Sequence, residues 1–152
     1  MKYFESINDV LDFAIEQEQI AIDFYSGLAK NAKSNDIKQM FLDFVKEEMG
    51  HKIKLTKIKK EGVFNEETPK EVLDLKISDY LVHVKASPEM NFQDALIVAM
   101  QREKSAYKLY NSMAKMAPNE DLRKVFKNLA IEEANHKLQF ETDYDEMILK
   151  DN

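Results

Sequence analysis

Two glutamates and a histidine recur as a set in this chain: Glu18, Glu48 and His51, then Glu103, Glu133 and His136. Each member of the second set lies 85 residues after its counterpart (103 − 18, 133 − 48 and 136 − 51). In both copies the last two residues form Glu-x-x-His, a spacing that puts carboxylate and imidazole on one face of a helix. Carboxylate oxygens and neutral imidazole nitrogens are ligands for divalent first-row metals, so a doubled set is what a two-metal site requires. The 152 residues contain no cysteine, which leaves no thiolate. A thiolate-free mixture of carboxylate and imidazole suits iron or manganese. The histidines argue against calcium and magnesium, and zinc remains open but has no need of so many carboxylates.

The elements that must position these residues are legible in the apolar periodicity. Ile7, Leu11, Ala14, Glu18, Ala21, Tyr25 and Leu28 step by alternating fours and threes, the seam of a core-facing helix, with Glu18 in its middle. A second seam runs Ile37, Phe41, Phe44, Glu48, His51, Leu55, Ile58; a third runs Phe92, Leu96, Ala99, Glu103, Ala106, Tyr110, Met113; a fourth runs Leu122, Phe126, Leu129, Glu133, His136, Phe140. The six polar residues interrupt otherwise apolar faces, which a merely solvated charge pattern does not do. Asn31 to Asn35 separates the first two helices, with Asn35 or Asp36 able to cap the second, and Pro118-Asn119 separates the last two. Short loops imply antiparallel hairpins, in which residues sit level when their midpoint falls in the turn. The midpoint of 18 and 48 is 33 and that of 103 and 133 is 118, both in the loops.

These patterns predict a single all-α domain over 1–152, a four-helix bundle built from two hairpins at 7–58 and 92–148. The connector, about 59–90, holds Gly62, Pro69, an apolar segment Tyr80-Leu81-Val82 with room for one helix, and Ser87-Pro88. Such a long crossover between helices 2 and 3 is the up-down-down-up arrangement. Identities at the 85-residue offset reach past the ligands, to Asp9/Asp94, Tyr25/Tyr110 and Lys52/Lys137 among others, as duplication of a hairpin produces.

Composition narrows the function classes. A net charge of −6 opposes general affinity for nucleic acid or anionic membrane, and Ala95 to Met100, the longest plainly apolar run, is too short to span a bilayer. The opening residues have no apolar signal core, so a cytoplasmic protein is the expectation. Lys52, Lys54, Lys57, Lys59 and Lys60 read as a solvated helix end that complements the helix dipole, and His83, without a counterpart in the repeat, reads as structural or exposed. Four carboxylates converging in a core incur desolvation and mutual repulsion. Two divalent cations cancel their −4 charge while His51 and His136 coordinate as neutral imidazoles. Tyr25 and Tyr110 lie seven residues beyond Glu18 and Glu103, placed either to hydrogen-bond the ligands in catalysis or to fill the core.

The segments Glu18-Gln-Ile-Ala-Ile-Asp-Phe-Tyr25, Glu48-Met-Gly-His51, Glu103-Lys-Ser-Ala-Tyr-Lys-Leu-Tyr110 and Glu133-Ala-Asn-His136 resemble the helix motifs of the ferritin-like di-iron carboxylate family, most of all its rubrerythrin branch, over nearly the whole chain. The resemblance implies a ferritin-like bundle with two Fe ions, manganese being the alternative, in which Glu48 and Glu133 bridge the metals and Glu18 and Glu103 are terminal ligands. It also implies reduction of hydrogen peroxide or oxygen, and a homodimer. Two departures bear on that reading. Without cysteine there is no iron–sulfur rubredoxin domain in these residues, so electrons must come from an external donor protein; and Ala106 stands where such proteins carry a further glutamate. Three other functions stay open at this point: a ferroxidase that handles iron, a manganese catalase-like enzyme that needs no donor, and a metal-stabilised structural bundle.

Overall fold

A computed structural model describes residues 4–62 and 90–151, with side chains through residue 146. Among them are four helices: α1 (Ile7–Lys30), α2 (Asn35–Glu61), α3 (Phe92–Met116) and α4 (Glu120–Asp151). The chain divides into two compact units, one holding α1 and α2 and the other α3 and α4. Tyr80-Leu81-Val82, His83 and most of the expected connector lie outside the described residues.

Each helix starts where a side chain can satisfy amides that have no partner within the helix. Ser6 Oγ accepts from the Asp9 amide, and Asn91 Oδ1 accepts from the Asp94 amide. Ser34 Oγ accepts from the Ile37 amide, and Asn119 Oδ1 from the Leu122 amide. The second cap is thus Ser34, and Asn35 and Asp36 occupy the first helical turn, where Asp36 complements the positive helix end. Helix α3 ends at Ala117, whose extended backbone (φ −62°, ψ 135°) is the conformation that a following proline favours. Helix α2 continues three residues past the expected boundary at 58 and stops at Gly62, which takes the left-handed conformation (φ 66°). Lys59 and Lys60 stand in the last helical turn, the helix end read from the lysines, and the connector expected from about 59 starts later.

Within the first unit the helices run antiparallel, as the cross-helix pairs show: Lys59 binds Asp12, Lys52 Nζ donates to Gln19 Oε1 at 2.5 Å, and His51 faces Glu18. In the second unit His136 faces Glu103 while Gln93 Nε2 reaches the Tyr144 hydroxyl at the far end. The buried face of α1 carries Val10, Leu11, Ala14, Tyr25 and Leu28; that of α2 carries Phe41, Phe44, Leu55 and Ile58. Phe126, Leu129 and Phe140 do the same on α4 beside Leu96, Ala99 and Leu109 of α3. Residues three and four apart supply each face, so the periodicity of the sequence becomes the packing of the hairpin.

Candidate metal centre

All six ligand candidates are buried: Glu18, Glu48, His51, Glu103, Glu133 and His136 are between 1% and 7% exposed. Glu48 stands at the midpoint of α2, and Glu18 within one residue of the midpoint of α1. In mid-helix every backbone amide is already committed to the carbonyl four residues before it, so the backbone cannot solvate these carboxylates. Side chains or a bound cation must do so.

In the first unit His51 Nδ1 lies 3.7 Å from Glu18 Oε1 and 3.8 Å from Glu48 Oε2. In the second, His136 Nδ1 lies 3.6 Å from Glu103 Oε2 and 3.9 Å from Glu133 Oε2. These separations exceed a hydrogen bond. Donors about 2.1 Å from a shared cation, at angles of about 90–120°, stand roughly 3.0–3.6 Å apart, so each triad is spaced within a few tenths of an ångström of a coordination shell. Each could place one donor atom per residue within 4.8 Å of the others, the arrangement that can hold a metal ion. The chemistry of the set fits the expected group as well. Two carboxylates and one neutral imidazole in a triad balance the charge of one divalent ion, and the oxygen–nitrogen mixture suits iron or manganese. Among the described residues, no histidine, aspartate or glutamate besides these six belongs to such a group.

Comparison with known proteins places this geometry. Residues 9–144 match the family described as rubrerythrin. The chain belongs to the rubrerythrin family. A solved structure from Thermotoga maritima, provisionally described as a ferritin-like diiron-carboxylate protein, shares 21% identity at a TM-score of 0.76, covering 97% of this chain and 99% of that one. A Pyrococcus furiosus structure described only as a hypothetical protein shares 26% identity at a TM-score of 0.73, covering 93% and 89%. Comparison with curated proteins gives no match. The ferritin-like four-helix bundle expected from the sequence is therefore the fold of this rubrerythrin-family chain.

The remaining expectations sort as follows. Tyr25 and Tyr110 are fully buried. The Tyr25 ring stacks on Phe41 with centroids 6.2 Å apart and meets Phe44 at 5.8 Å, so it fills core space whatever its hydroxyl does. Ala21 is buried, whereas Ala106 is only partly covered. No helix among the described residues is long and apolar enough to cross a membrane. Gln19 and Met49, which the sequence analysis did not single out, line a groove along the first hairpin together with Lys52.

Proposed function

We propose that the two triads together hold two iron ions and that the protein reduces hydrogen peroxide, or oxygen, with electrons from a separate protein. The observation that carries this reading is the near-identity of two buried Glu–Glu–His triads. Family membership and the diiron-carboxylate description of the Thermotoga maritima protein favour iron over manganese. In this reading Glu18, Glu48 and His51 would hold one ion and Glu103, Glu133 and His136 the other. When bound, iron would supply the one-electron redox chemistry that peroxide reduction needs. The overall change is H2O2 with two electrons and two protons giving two waters.

The chain's own contribution is charge balance, positioning and exclusion of water. The four carboxylates match the ions' charge, and the mid-helix positions fix the donors. Tyr25, Leu55, Leu96 and Phe126, all fully buried, lie one or two turns from the ligands along the same helix faces, so these faces exclude bulk water. The Tyr25 and Tyr110 hydroxyls, two turns from Glu18 and Glu103, are the candidates for delivering protons.

The deciding experiment is anaerobic loading with Fe(II), followed by optical titration with peroxide and metal analysis. Peroxide reduction predicts one equivalent consumed per iron pair, iron retained, and renewed consumption once a donor is added. Release of iron after each oxidation would move the assignment to iron handling. Oxygen evolution without a donor would indicate a catalase, and unchanged metal would leave a structural bundle.

A further inference from the structure

A groove of roughly 510 Å³ runs along the α1–α2 hairpin. Its floor is apolar, formed by Ile22, Met49 and Ile53, and two of these side chains are left in water: Met49 is 49% exposed and Ile53 67%. Scattered exposed apolar residues are ordinary, but several lining one groove mark a contact surface. Lys52, Lys57 and Lys60 edge it, with Glu61 4.0 Å from Lys57. This is a local reversal of sign on a chain whose net charge is −6.

The groove is adjacent to the first triad by covalent structure. Gln19 follows Glu18, Met49 follows Glu48 and Lys52 follows His51, so each ligand's next residue lines the groove. The Lys52 Nζ to Gln19 Oε1 hydrogen bond ties two of those positions across the helices. At 3.6 residues per turn successive side chains are turned by about 100°, so the groove flanks the buried face that carries the ligands. The 85-residue repeat supplies a contrast. Ile53 corresponds to Leu138, itself 61% exposed, but Lys57 and Lys60 correspond to Thr142 and Asp145. Among the described residues, the matching positions of the second hairpin therefore keep the exposed apolar residue without these two lysines.

We propose that this groove is the docking surface for a small acidic one-electron carrier protein, which reduces the metal centre through the first triad. The proposal rests on the peroxide-reduction reading above. Each encounter oxidises one carrier by one electron; two encounters, with two protons from water, convert one peroxide to two waters. An apolar centre with a charged edge suits a transient electron-transfer complex, in which charge orients the encounter and the small apolar contact permits rapid release. The lysines select a negatively charged partner, and the overall negative charge of the chain keeps that complex weak and sensitive to salt.

The test separates docking from redox chemistry by using zinc-substituted rubredoxin, a small acidic protein that cannot transfer electrons. Its binding to the metal-loaded protein is followed by NMR titration. Iron rubredoxin then reports electron transfer by stopped flow. Ile53→Asp and the double variant Lys57→Glu/Lys60→Glu are each expected to weaken binding of the zinc form by about tenfold or more, and to slow electron transfer in parallel. Leu138→Asp is the internal control, expected to bind as wild type. Higher salt should weaken wild-type binding and spare the double variant. Equal binding by wild type and all variants overturns the proposal. So does a change in oligomeric state caused by Ile53→Asp, which would assign the groove to a second copy of the chain. If the zinc probe binds as expected while peroxide fails to oxidise the centre, the docking surface stands and the peroxide reading falls; if peroxide oxidises the centre but the probe ignores the groove, the reverse holds.

Discussion

His51 and His136 stand 85 residues apart and hold the same pose, each with Nδ1 facing one glutamate on its own helix and one on the neighbouring helix of its hairpin. The four distances span only 3.6–3.9 Å. A repeat that preserves geometry to this degree preserves the ligand field, so the two triads should have similar affinities.

His51→Ala and His136→Ala should therefore behave alike, each lowering metal content from two ions per chain to about one or fewer. Glu48→Ala and Glu133→Ala should each abolish binding of a metal pair, because each removes one of the two carboxylates that balance the ion of its triad. Metal analysis of purified protein reads both effects. Retention of two ions in both glutamate variants would sink the assignment.

Removing metal should destabilise the protein, since buried carboxylates then lose the charge that balances them. Ions held at about a hundred times their dissociation constant contribute about 2.7 kcal/mol per site, which for a chain of this length corresponds to a fall in Tm of roughly 5–10 °C for each ion removed. Calorimetry before and after chelation measures it, and restoring Fe(II) should recover the loss.

Gly50 sits between Met49 and His51 in the middle of α2, and a Cβ built there meets nothing within 4 Å. Glycine in a helix interior costs about 0.5–1 kcal/mol relative to alanine. Its counterpart in the repeat is Asn135, so a side chain is already accommodated at the equivalent place. Gly50→Ala should raise Tm by about 2–4 °C without changing metal content.

Asp143 gives a pH signature. Burial raises its pKa above 3.8, with Glu146 adding to the rise and the hydrogen bond from Gln139 Nε2 to Oδ1 (3.0 Å) opposing it. The folded state therefore holds this proton more tightly than the unfolded state. Its contribution favours folding at low pH, declines as pH climbs past 3.8 and levels off above the raised value. Asp143→Asn keeps an acceptor for Gln139 and removes the charge. It should raise Tm at pH 7, with the gain shrinking to zero as pH falls below 3.8. A gain independent of pH would refute burial of the charge as the cause.

The ligands and the two hairpins were legible in the sequence because Glu and His are conspicuous inside an apolar seam. The caps were not. Ser34, Asn35 and Asp36 are all competent to cap, and composition alone cannot choose among them; the choice falls to Ser34 because its hydroxyl reaches the Ile37 amide. The repeat also extends further than identities reveal. Ser6 and Asn91 are 85 residues apart and both cap, as do Ser34 and Asn119, but a serine aligned on an asparagine hides a shared physical role. The end of α2 was blurred because Lys59 and Lys60 read as a solvated helix end while the apolar seam stops at Ile58; the left-handed backbone of Gly62 shows where the helix stops. The groove beside the first triad was invisible for another reason: Ile22, Met49 and Ile53 come from two helices, and only folding makes them neighbours.

The central position of Glu18 and Glu48 in their helices bears on how metal can leave. Helix ends fray at little cost, whereas central turns open only when much of the packed unit opens with them. Loss of an ion from such a turn requires a cooperative opening of the hairpin rather than the peeling of a terminus. Amide exchange at these central turns and metal off-rate should therefore share one barrier, so the centre is held kinetically as well as by affinity.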